Sequence, residues 1–304
     1  MTKLHRYLRA NDALLVATDV RSCLEAIAST GRIGSPFYYY RGVPSAKYHL
    51  ETSLDRALSG KTWDRARREL RFLEEFQRVA HNHLPSPSLP TTVFGWLSLM
   101  QHYRVPTRLL DLTRSPYIAL YFAVREWNTN TDAAVFAFNP TGLHEATLHR
   151  LRAKEFPHSL PKYPEFLLPE LAHDAYFTTA FLKGNYSIAA ILEPTWVDRR
   201  QASQQAAFLT SDATSGTLED TLADLVVSRD HLDEHKRAFL EKNAKDWSVV
   251  KLVIPSNLKK KLFLELAAMN VHAATLFPDL EGAALRIREN GIAEEWVLAK
   301  YGPT

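Results

Sequence analysis

The sequence predicts a mixed α+β single domain with a helical N-terminal subregion. Three observations carry this expectation: β-branched or aromatic runs are separated by helical stretches without regular βαβ alternation, nothing repeats at a fixed period, and no long linker divides the chain. With 304 residues, 46% of them hydrophobic and 23% charged, the chain has material for a sizeable core. A formal charge of +3 is too mild to mark a nucleic-acid binder, and the basic runs Arg65–Arg71 and Lys259–Lys261 read as solvated helix faces. Cys23 is the sole cysteine, which rules out an intrachain disulfide and a Cys-based zinc site and fits a reducing cytosol. The longest apolar run, Tyr117–Val124, is far shorter than the ~20 residues of a spanning helix. The expected location is therefore cytoplasmic, with no membrane partner.

The elements follow in order. Residues 14–30 read as one helix, with Leu15, Cys23, Leu24 and Ile27 near one face and Gly31 as the stop. Phe37–Tyr40 is a strand by its aromatic content, ended by Gly42 and Pro44. Leu54–His83 reads as a single basic amphipathic helix with Phe72, Leu73, Phe76 and Val79 inward. A helix over Thr92–His102 is stopped by Pro106; Thr107–Thr113 suits a turn or irregular strand; Ser115-Pro116 opens another helix. Ala133–Phe138, Ser187–Pro194, Ala206–Ser211 and Ser248–Pro255 read as strands. The His- and Pro-rich stretch 139–186 suggests exposed helices and loops, and 212–246 a polar helical insertion. Ser256 is expected to cap a helix, with a last helix over Leu276–Asn290.

Three stretches hold the candidate functional residues. Arg41, between aromatics and Gly42, is either paired with a carboxylate as structure or aimed into a cleft as an anion receptor, because its planar fork matches carboxylate and phosphate. The glycine would let another chain or a ligand approach the backbone. Residues 102–115 gather His102, Thr107, Arg108, Asp111, Thr113, Arg114 and Ser115 just before an apolar helix. Hydroxyls and an Asp at a helix start serve as caps or as an Arg108 partner, but free backbone N–H groups there also suit a ribose or a phosphate. His102 is equally a satisfied hydrogen-bonding group. In Asp198–Ser211, Arg200, Gln204 and Phe208 are four residues apart, and Gln204 either orients a hydroxyl or sits on a polar surface loop. The chain has no HExxH, P-loop or GxGxxG signature, and no metal ligands are assigned.

Together these stretches resemble the FRG domain family, through the aromatic-Arg-Gly motif Tyr40-Arg41-Gly42, the long segment "QHYRVPTRLLDLTRSPYIALYFA", Arg200, Gln204 and Phe208, and the closing "IPSNLKKKLFLELAAMNVHAATLFPDLEG". The resemblance spans about residues 35–285; Ala206 stands where that family often shows Gly. It implies an N-terminal helical segment 1–34, an FRG domain 35–290 and a tail 291–304. The layout is also similar to an ADP-ribosyltransferase-like split β-sheet core, which binds NAD between two small sheets. What this implies is a catalytic set of Arg41, Gln204 and Glu193, the last as the nearest carboxylate because the third element here offers Gln rather than Glu. Tyr40, Arg41, Gly42, His102, Thr107, Arg108, Asp111, Thr113, Ser115 and Tyr121 would hold the cofactor, NAD, which is consumed as substrate. The implied activity is ADP-ribosyl transfer to RNA, DNA or protein by a toxin or phage-defence effector, with a neutralising antitoxin protein as a partner. The alternatives are simple NAD hydrolysis and a non-catalytic module in which Arg41, Asp111 and Arg108 form a buried ion network.

Overall fold

The computed structural model of the protein describes residues 2–10, 13–30, 38–58, 65–84, 89–160, 169–194, 198–212, 216–227 and 248–301. The N-terminal part holds α1 (Lys3–Ala10), β1 (Leu14–Val16), α2 (Val20–Thr30), β2 (Tyr39–Val43), α3 (Ser53–Ala57), α4 (Arg65–Ala80) and α5 (Val93–His102). The centre continues with β3 (Leu110–Thr113), α6 (Pro116–Val124), β4 (Ala133–Phe138) and α7 (Pro140–Ala153), then a short helical run through α8 (Asp174–Phe177) and a π-helical turn (Thr178–Leu182). After them come β5 (Ala189–Leu192), α9 (Arg199–Ser203), β6 (Ala206–Ser211), α10 (Leu218–Val227), β7 (Val249–Ile254), α11 (Ser256–Ala268), α12 (Ala273–Leu276) and α13 (Leu280–Tyr301).

The mixed α+β class is as the sequence predicts. The strands of the described residues form one seven-stranded sheet in the order β1-β7-β4-β2-β3-β6-β5, where the resemblance leads one to expect two small sheets. β1 and β7 are parallel and all other neighbours antiparallel. The sheet has a seam, however. β2 pairs with β4 at five positions, from Tyr39↔Phe138 to Val43↔Ala134, but with β3 at Tyr40↔Thr113 alone. Two apolar clusters pack on the sheet: one runs across it from β1 to β5 and includes α6, the other takes the alternate residues Ala190, Leu192 and Phe208 with α5 and the π-helical turn. No helix of the described residues is long and apolar enough to cross a membrane.

Several boundaries differ from expectation for local reasons. Residues 14–30 are not one helix: Leu14–Val16 pair with Lys251–Val253, and α2 starts only after Asp19, whose Oδ1 accepts from Ser22 N at 2.7 Å. The N-terminal segment thus joins the same sheet as β7. Leu54–His83 is two helices, because α3 opens on a Thr52/Asp55 capping box and ends at Leu58; residues 59–64 lie outside the described residues. Leu73 faces inward as predicted, whereas Val79 is exposed. α7 buries Leu143, Ala146, Leu148 and Leu151, so residues 139–186 are less exposed than their composition suggests. Pro255, not Ser256, occupies the cap position of α11, and Ser256 N donates instead to Asp132 Oδ1 at 2.9 Å. Pro278 separates α12 from α13, which runs on past residue 290. Of the expected insertion 212–246, α10 is seen and 228–247 lie outside the described residues.

Candidate functional site

A cavity of about 340 Å³ opens at the β2–β3 seam. Its walls come from β2 (Tyr40, Arg41, Gly42), β3 (Asp111, Leu112, Thr113), the end of α6 (Phe122, Arg125, Glu126) and α9 with its cap (Arg200, Gln204), while Pro44 closes one side. The size falls within the roughly 300–1,000 Å³ of small-molecule sites.

Arg41 bridges the seam. Its Nη1 donates to the Asp111 carbonyl at 2.7 Å, and among the described residues it forms no ion pair with a carboxylate. Burial pushes its pKa below the usual arginine value and the Asp111 carboxylate opposes that shift; the group nonetheless stays charged, since arginine begins so far above neutrality. Arg41 therefore keeps donors for a ligand. Of the two readings the sequence left open, the cavity-facing one describes the geometry, and the ion network of Arg41, Asp111 and Arg108 does not form. Arg200 and Arg125 add two more guanidinium groups, packed on Phe277 at 4.7 Å and Phe122 at 5.8 Å. Three cations against Asp111 and Glu126 leave the cavity walls with a positive excess.

Gly42 has a purpose the sequence did not show. A Cβ built on it would stand 1.7 Å from the Ala119 carbonyl oxygen and 2.7 Å from Ala123 N. The close approach is by the backbone of α6, not by a ligand. That packing brings Phe122, Arg125 and Glu126 to the cavity.

α9 is braced from α5. Asp198 caps it, accepting from Gln201 N at 2.8 Å; His102 Nδ1 lies 2.8 Å from Asp198 Oδ2, and Gln201 Nε2 donates to Ser98 Oγ at 3.0 Å. Gln204 follows as the C-cap and donates through Nε2 to the Leu276 carbonyl at 3.1 Å, which fixes its amide at the cavity wall. The left-handed residue in the turn is Gln205 (φ 48°), so Ala206 needs no glycine and enters β6 opposite Thr113.

The structure thus brings together Tyr40, Arg41, Gly42, Asp111, Thr113 and Gln204, with Arg200 beside them. Six other candidates do not line this cavity. His102 lies against Asp198 instead. Thr107, fully buried, donates through Oγ1 to Gln101 Oε1 at 2.6 Å, while Gln101 Nε2 reaches both Asp111 carboxylate oxygens at 3.3 and 3.2 Å. Arg108 is buried in an ion pair with Glu69 and also donates to the Phe181 and Ser211 carbonyls, tying α4 to the second apolar cluster. Ser115 caps α6 through Ile118 N, and its own N–H donates to Thr113 Oγ1 at 3.0 Å. Tyr121 donates to Glu289 Oε1 at 2.6 Å, and burial with that carboxylate raises its pKa. Glu193 accepts from Tyr39 at 2.8 Å and lies 3.4 Å from Arg114 Nη1; burial and that hydrogen bond raise the Tyr39 pKa.

Pro44, Leu112, Phe122, Arg125 and Glu126 are wall residues that sequence reasoning missed. For the last two a signal existed: they are the first charges after the apolar run Tyr117–Val124.

Residues 37–132 match the family model of the FRG domain. That span contains the β2, β3 and α6 walls of the cavity but not α9, so Arg200 and Gln204 come from outside it. No curated protein and no solved structure matches the chain.

Proposed function

We propose that the chain binds NAD in the seam cavity and cleaves its nicotinamide–ribose bond, with transfer of ADP-ribose to a nucleic acid or protein, as in an ADP-ribosyltransferase-like core. The observation that carries this reading is the convergence of Arg41, Thr113 and Gln204, from three distant segments, on one cavity with excess guanidinium charge. Arg41 holds the diphosphate with its remaining donors, helped by Arg125 and Arg200. Thr113 offers its hydroxyl to the nicotinamide ribose. Gln204, its NH₂ committed to Leu276, turns its amide oxygen to a ribose hydroxyl.

In the reaction the C1′–N bond breaks, and nicotinamide leaves with the bonding electrons. The ribose passes through an oxocarbenium-like state, and an acceptor oxygen or nitrogen bonds to C1′ and gives up its proton. Positioning and fixed charge lower this barrier more than a strong base would. A glutamine stabilises the developing cation less than a carboxylate, and Asp111 and Glu126 supply negative charge at the same walls. Glu193, held by Tyr39 and Arg114, is better suited to fixing the strand ends.

The test is incubation of purified protein with NAD labelled in the adenylate, together with RNA, DNA and protein acceptors, while released nicotinamide is measured. Nicotinamide release that disappears in Arg41→Ala while the protein stays folded, its Tm lowered by no more than about 2–4 °C, is the expected result. Folded wild-type protein that neither binds NAD nor releases nicotinamide overturns the reading. Glu193's engagement away from the cavity favours a second reading, a binding module that holds the dinucleotide uncleaved. NAD binding without release selects it, and release without transfer selects a glycohydrolase.

A further inference from the structure

We propose that a second cavity, adjoining the first across Arg125 and Glu126, is a nucleotide subsite that takes the adenylate unit of the same dinucleotide; the identity of its occupant rests on the NAD reading above. The seam cavity, at about 340 Å³, is of a size for one nucleotide rather than two. Beyond it lies a cavity of about 430 Å³ that shares Arg125 and Glu126 as a common wall and whose further lining includes Trp127, Asn128, Leu285, Arg288 and Glu289. Arg125 stands at their boundary, where its guanidinium suits a diphosphate that joins the two spaces.

The chemistry of the second cavity suits a base and a phosphate. Trp127 is half-buried and held by the Lys260 ammonium, 4.3 Å from its ring centroid, so it is a fixed stacking platform rather than a mobile surface ring. Arg288 is exposed and forms no ion pair among the described residues. The neighbouring Arg286 takes the carboxylate that would otherwise compete for it, lying 3.6 Å from Glu289 Oε2. Glu289 also lines this cavity, but its oxygens are engaged by the Tyr121 hydroxyl at 2.6 Å and by Ala273 N at 3.2 Å. Stacking of one base on an aromatic ring is worth about 5- to 150-fold in affinity, enough to distinguish AMP from free phosphate.

The experiment measures AMP, nicotinamide mononucleotide and NAD binding by titration calorimetry to the full chain and to Trp127→Ala, Trp127→Phe, Arg288→Ala and Arg41→Ala. AMP affinity should fall at least tenfold in Trp127→Ala and severalfold in Arg288→Ala, be kept in Trp127→Phe, and fall far less in Arg41→Ala than in Trp127→Ala. The mononucleotide should show the reverse pattern, and NAD should weaken in both sets. Arg288→Ala alters an exposed side chain, so its result stands even if Trp127→Ala folds poorly. AMP binding indifferent to Trp127 and Arg288 overturns the subsite. AMP that displaces a short single-stranded oligonucleotide but not NAD overturns its assignment to the dinucleotide and gives it to an acceptor strand. Trp127-dependent AMP binding without any NAD binding upholds the subsite and removes the proposed function.

Discussion

Replacing Gly42 with Ala should damage the fold before it affects any ligand. The added methyl would stand 1.7 Å from the Ala119 carbonyl oxygen, whereas ordinary contact begins near 3.4 Å. Relief therefore requires α6 and β2 to separate by about 1.7 Å, and both obstructing atoms are backbone, so no side chain can rotate away. Overpacking of a rigid core costs about 1–3 kcal/mol, and this contact belongs at or above the top of that range. For a chain of this size that corresponds to a fall of roughly 5–10 °C in Tm. Because α6 carries Phe122, and Arg125 and Glu126 follow it directly, anion binding in the seam cavity should weaken in the same variant. Differential scanning calorimetry of wild type, Gly42→Ala and Arg41→Ala checks the reasoning. A Gly42→Ala protein with wild-type Tm but no ligand binding would show that the glycine serves the ligand and not the helix.

Arg41→Ala should cost only about 1 kcal/mol, because it removes one hydrogen bond to the Asp111 carbonyl and strands no carboxylate; urea unfolding gives the value, and a loss above 3 kcal/mol contradicts it. Glu69→Gln should cost about 3–5 kcal/mol in the same assay, since Arg108 is then left as a buried charge without its counter-ion. His272, half-buried before α12, has its pKa lowered from 6.5 by burial and by Arg286, with Glu289 opposing. The unfolded chain therefore takes up this proton first, and stability should fall as pH drops through 6.5 toward the lower folded value and recover as pH rises. Unfolding measured between pH 5.5 and 7.5 should show a shallower slope for His272→Asn than for wild type, and parallel profiles would refute the assignment.

The candidate site was legible where chemistry and local order coincide. Arg41 followed by Gly, Thr113 before the Ser115 cap, and Gln204 before a strand could each be read from neighbours in the chain, and all lie at or beside the cavity. What could not be read was pairing across distance. Arg108 looks like its neighbour Asp111 in the sequence, but Glu69, 39 residues earlier, claims it. Glu193 stands at the end of the strand that precedes Gln204 in the chain, yet Tyr39 holds it from 154 residues away. The strand at Leu14–Val16 was hidden for the same reason: three residues with helical neighbours become a strand only because β7 offers an edge. Likewise, the need for glycine at 42 comes from a helix that the local sequence does not contain.

The seam explains why one short motif carries two such different demands. Across the β2–β4 pairing all five residues of β2 are in ladder register with their neighbours, so the sheet is closed on that side. On the β3 side pairing stops after Tyr40↔Thr113, and the unpaired Asp111 carbonyl beyond it is taken by the Arg41 side chain instead of a strand amide. A guanidinium can close that gap and still face a ligand, because it carries five donors where a backbone amide carries one. Lysine would reach the carbonyl as a point charge but could not present a planar fork to the carbonyl and an anion together. The opening of the sheet, the arginine that bridges it and the glycine that draws α6 against it are thus parts of one arrangement: remove the arginine and the cavity loses the guanidinium that spans its seam, remove the glycine and it loses the wall that Phe122, Arg125 and Glu126 provide.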